Sequence, residues 1–75
     1  MELQIGDRWY GEQETDYEGI QATIDDITAR YVQLSFSPPL YSNTSPIHGK
    51  PLGKRQFRRN FTPQSPYYQV TIFDI

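Results

Sequence analysis

Cysteine is absent from this 75-residue chain, and histidine and tryptophan occur once each, as His48 and Trp9. Without thiols there are neither disulfide staples nor thiolate zinc sites. One histidine cannot build a histidine-rich metal site, so no metal or other cofactor is expected. No stretch approaches the roughly 18 apolar residues that a membrane-crossing helix needs. Met1 to Gly6 lack a basic stretch followed by an apolar one, so they do not read as a signal peptide. The expected address is therefore the cytoplasm. Two glycosylation sequons, at Asn43 and Asn60, read as chance in that setting.

Catalytic chemistry is also poorly supplied. An active site needs convergent acid, base or nucleophile groups of tuned pKa, and here the one histidine sits in a proline-rich stretch. Asp25 and Asp26 are adjacent, and neighbours on a strand point to opposite faces, so they read as turn residues and not as a carboxylate pair. No glycine-rich phosphate loop or metal-spaced cluster occurs. The expectation is a binding module that is not an enzyme.

Acids are missing from one half of the chain. Residues 27–62 carry six bases (Arg30, Lys50, Lys54, Arg55, Arg58, Arg59) and no carboxylate, whereas residues 1–26 carry eight acids against Arg8 alone. The net charge of −2 conceals this separation. Either the two halves neutralise each other in space or the surface is bipolar.

What is present points to strands. Ile20, Ala22 and Ile24 alternate with polar residues, as do Val32, Leu34 and Phe36, which predicts two half-buried strands that pair. Arg8 to Tyr10 form a shorter strand after a Gly6-Asp7 turn, and residues 11–19 read as a polar, acidic loop. Pro38-Pro39 is expected to stop the second long strand, because proline cannot donate to a ladder. Residues 37–53, with four prolines, then read as a long irregular loop. Phe57 and Phe61, four apart, suit a short helix near 54–61 that ends before Pro63. Residues 67–75 alternate again and predict a last strand, apolar on both faces, that completes the sheet or pairs with a second copy into a homodimer. The whole reads as one mainly β domain spanning 1–75, a small SH3-like barrel or bent antiparallel sheet with one short helix. A core of this size rarely supplies more than about 3–5 kcal/mol.

With Gly6-Asp7-Arg8-Trp9-Tyr10 at the front and Phe57-Arg58-Arg59-Asn60-Phe61-Thr62-Pro63 at the back, the chain resembles small phage and prophage proteins of SH3-like barrel type. The resemblance covers about residues 5–63 and rests on core and turn residues. The proline-rich stretch and the strand after Pro63 depart from the pattern. Some small phage proteins act by binding and disabling a host protein. The resemblance thus implies a phage-derived inhibitor of a bacterial host factor, with antiviral defence one candidate target.

Four features could form the contact surface. Lys54, Arg55, Arg58 and Arg59 suit carboxylates or phosphates, so an acidic protein patch competes with a nucleotide or nucleic acid as partner. Six tyrosines exceed what so small a core can enclose; Trp9, Tyr10, Tyr31, Tyr41 and Tyr67 are the aromatic candidates, since Tyr with Arg is an interface composition. Pro38-Pro39-Leu40-Tyr41 matches the Pro-Pro-x-Tyr ligand of WW domains, although a rigid strand exit is the preferred reading. Glu12, Glu14, Asp16 and Glu18 could imitate a nucleic-acid backbone, with a solvated loop the favoured reading.

Overall fold

Alternation of apolar and polar residues produces a single antiparallel sheet. The computed structural model describes residues 2–42 and 45–63, with strands β1 (Arg8–Gly11), β2 (Gln21–Ile27), β3 (Tyr31–Ser42), β4 (Ser45–Gly53) and β5 (Phe61–Thr62) and helix α1 (Lys54–Asn60). The strands lie in the order β4-β3-β2-β1-β5. The mainly β architecture with one short helix is as the periodicity predicts. The segment 67–75, and with it Tyr67, lies outside the described residues.

The sheet must bend. Flat, its four inter-strand steps of about 4.8 Å would hold β4 and β5 roughly 19 Å apart. Yet β4 and β5 are joined directly by α1, whose seven residues span only about 10 Å. The edges therefore curl toward the helix, and the side chains inside the curl form the core. Trp9, Ala22, Ile24, Val32, Leu34 and Leu52 enter it from the strands, Phe57 from α1, and Phe61 from β5. Phe57 is fully enclosed, 4.8 Å from the ring centre of Trp9 and 5.1 Å from that of Phe61.

Two expectations are corrected. Asp25 and Asp26 do not form the turn after β2 but belong to the strand. The ladder pairs Ile24 with Leu34 and Asp26 with Gln33, so Asp25 is an extra residue in a bulge. That one-residue slip lets both carboxylates face solvent and returns Ile27 to the core side. The Ser35 hydroxyl donates to the Asp25 carboxylate across the bulge. The actual turn is Thr28 to Tyr31, closed by the Thr28 hydroxyl, which donates to the Tyr31 carbonyl at 3.2 Å and accepts from its N–H at 3.0 Å.

The second correction concerns residues 37–42 and 45–53, which are not an irregular loop. They are the distal part of β3 and all of β4, paired as a long hairpin. The proline rule still operates locally. Register passes from Ser35↔Gly49 to Leu40↔Ile47, so four residues of β3, including Pro38 and Pro39, face His48 alone. The prolines occupy the stretch where no ladder donor is required. Pro46 and Pro51 sit on β4, an edge strand, where one side of the backbone has no sheet partner. Leu40 and Ile47 pack against the core beyond the break, which anchors the distal hairpin.

Close backbone approach explains Gly11. A Cβ there would lie 1.7 Å from the Tyr17 carbonyl oxygen, because the 12–19 loop folds back over the end of β1. That carbonyl accepts from the Ile20 N–H at 3.0 Å. Gly11→Ala is expected to cost about 1–3 kcal/mol through this overpacking, read as a lower midpoint in urea unfolding. Phe57→Ala should cost about 3–5 kcal/mol, as much as the whole domain commands. Circular dichroism of that variant at 25 °C is expected to show a largely unfolded chain, while Phe57→Leu stays folded with a lowered Tm.

Candidate functional site

The basic cluster is organised by the helix period. At 3.6 residues per turn, Arg55, Arg58 and Arg59 share an arc of about 100° centred roughly 150° from Phe57. All three are exposed, and Lys54 and Asn60, which flank Phe57, are half-buried. Burial of one aromatic thus turns three guanidiniums outward on one face. Among the described residues none of them has an ion-pair or hydrogen-bond partner. The opposite charges of the two sequence halves do not neutralise each other there.

This face is not arranged to stabilise the helix. Gly53 is the N-cap and supplies no side-chain hydrogen bond, and the first turn holds no acid. Lys54 and Arg55 instead place cations at the positive end of the helix dipole. Arg55 also repels Arg58 and Arg59 at helical neighbour spacing, at about 0.2–0.5 kcal/mol per pair. Only Arg58 and Arg59, in the last turn, are well placed for the dipole. The helix holds because Phe57 and Phe61 pack, and because its first N–H, of Lys54, donates to the Arg30 carbonyl at 2.9 Å.

That same contact brings Tyr31 to the cluster. Tyr31 pairs with Gly53, the residue before α1, and lies on the face of β3 opposite the buried Val32. It is 54% exposed. Tyr31 thus lies across the ladder from the residue that leads into α1, with Arg30 adjoining.

The chain matches no protein-family model, no curated protein and no solved structure.

The other aromatic candidates separate from this surface. Trp9 is corrected to a core residue: it is 5% exposed and its ring packs on Phe57. Tyr10 is half-buried in the middle of the sheet, in register with Gln21 and Thr62. Tyr41 is 67% exposed, but ten residues along β3 from Tyr31, on the distal hairpin opposite Pro46. The Pro-Pro-x-Tyr segment is part of β3, with Leu40 turned to the core. Tyr17, not singled out by its loop position, is buried between Phe36 and Phe61, and the Lys50 Nζ lies 5.7 Å above its ring centre. Among the described residues no group of three or more His, Asp or Glu side chains is placed to hold a metal, and no helix is long and apolar enough to cross a membrane.

If the arginine face is held against local stability, reversing one charge should strengthen the fold. Arg55→Glu puts an acid in the first turn and four residues before Arg59. A gain of about 0.5–1 kcal/mol is expected, measured by thermal unfolding at low salt and shrinking as salt is added.

Proposed function

We propose that this chain is a non-enzymatic binding module, of the kind small phage proteins supply, that docks onto a bacterial host protein and inhibits it. The observation that carries this reading is the unpaired arginine face of α1, with exposed Tyr31 in register with Gly53, the residue that leads into the helix. Arginine forks grip carboxylates in pairs of parallel hydrogen bonds, and tyrosine supplies contact area at small entropic cost. Arg55, which opposes the helix dipole and has no ion-pair partner among the described residues, is the charge that local stability does not explain. The segments that resemble phage proteins, Gly6 to Tyr10 and Phe57 to Pro63, form β1 and the α1–β5 unit, which pair with each other through Tyr10↔Thr62 and Gly11↔Phe61. The proposed setting is the bacterial cytoplasm, with a defence factor as one candidate target.

A nucleotide or nucleic acid at Arg55, Arg58 and Arg59 is the second reading, because exposed guanidinium forks also suit phosphate. A chain of net charge −2 is a poor non-specific binder of nucleic acid, and the protein partner is preferred.

The reading is tested by affinity capture from bacterial lysate, followed by assay of the captured factor. One stoichiometric protein whose activity falls on addition of the chain is expected. Arg55→Glu/Arg59→Glu should weaken that capture by about tenfold or more, since buried charge contacts at interfaces are among the costliest to reverse. Captured material absorbing at 260 nm, and lost in the same variant, would instead support the nucleic-acid reading.

A further inference from the structure

We infer that the acidic loop between β1 and β2 is the selecting half of the docking surface, and that the surface fits a protein bearing a carboxylate patch beside a cationic one. This deepens the preceding proposal and rests on its reading of the arginine face as the contact surface.

The supporting observation is adjacency. The Glu12 N–H donates at 2.8 Å to the carbonyl of Asn60, the last residue of α1, and Gly11 is in register with Phe61. The loop therefore leaves the sheet one residue beyond Arg59. Its carboxylates Glu12, Glu14, Asp16 and Glu18 are all exposed. It is also a held structure. Glu18 Oε1 accepts from the Glu14 N–H at 2.9 Å, the Thr15 hydroxyl donates to the Glu12 carbonyl at 2.7 Å, and Tyr17 anchors the loop in the core. The acidic loop thus begins at the end of the arginine helix, and no ion pair joins the two among the described residues. Both signs remain available to a partner.

A nucleic-acid strand is uniformly negative, with a charge every ~3.4 Å. Arg55 and Arg59 are about 6 Å apart along the helix axis, room for only a couple of phosphates before a strand continuing past Asn60 meets the acidic loop that begins at Glu12. A protein surface can alternate sign to match, and like-charge contact is an effective way to reject wrong partners. A second copy of this chain also offers acid beside base. Exposed ion pairs, however, are individually too weak to offset the freedom lost on association. A partner must add an apolar contact, and Tyr31 at the other end of α1 is the exposed ring that would receive it.

The test compares the wild-type chain with Glu12→Gln/Glu14→Gln/Asp16→Asn, which spares the Glu18 acceptor, and combines each with Arg55→Glu/Arg59→Glu. The probes are a mixed-sequence single-stranded oligonucleotide, a peptide with an aromatic residue followed by a glutamate block, and the same peptide extended by a lysine block. Wild type is expected to prefer the two-block peptide and to bind the oligonucleotide weakly. The neutralised loop should reverse the peptide preference and raise oligonucleotide affinity by about tenfold or more, in a salt-sensitive way. Arginine-dependent binding that ignores the loop carboxylates would overturn this inference alone. Binding indifferent to the arginines would overturn the contact surface itself. Light scattering that showed a salt-sensitive dimer, dissolved by either set of substitutions, would assign the surface to a second copy and overturn the inference as well.

Discussion

The structure depends on a continuous line of aromatic contacts. Trp9 meets Phe57, Phe57 stacks on Phe61, Phe61 meets Tyr17, and Tyr17 meets Phe36, with ring centres 4.8–5.9 Å apart. These five rings come from β1, α1, β5, the acidic loop and β3. Each otherwise marginal element is tied to the others through them. A helix of seven residues is too short to persist alone, and β5 is only two residues long. With no disulfide to constrain the unfolded chain, ring burial is the main cohesive force available.

The same contacts explain how a proline-rich stretch becomes part of the sheet. β3 is held by β2 as far as Ser37, so the chain enters Pro38 and Pro39 already extended. The break in the β3–β4 ladder leaves those residues without a donor to satisfy. Gly49 makes the approach at the break: a Cβ there would lie 2.2 Å from the Leu34 carbonyl oxygen. Beyond it, Leu40 and Ile47 return to the core. The Asp25 bulge in β2 follows similar logic, since one unpaired residue moves two carboxylates outward and one isoleucine inward.

Charge is distributed on a different principle from packing. The apolar side of α1 secures the curl of the sheet, while its other side gathers three guanidiniums, of which Arg58 and Arg59 suit the helix dipole and Arg55 opposes it. The acidic loop borders that face without neutralising it. A surface that keeps both signs unpaired contributes little to stability.

Local periodicity was enough to read β2 and the first half of β3, because period-two burial is imprinted on neighbouring residues such as Ala22 and Ile24; the four-residue spacing of Phe57 and Phe61 located α1, although Phe61 itself is extended and begins β5. The composition also announced the arginine face, since that face is a property of helical spacing alone. Tertiary structure decided the remainder. Whether Asp25-Asp26 makes a turn or a bulge depends on Leu34 and Gln33 across the ladder, and whether prolines end a strand depends on which neighbour needs their N–H. Trp9 went inside and Tyr31 outside because Phe57 waits on one face of the sheet and Gly53 leaves the other open. Those choices are made by residues distant in the chain, and no local pattern carries that information.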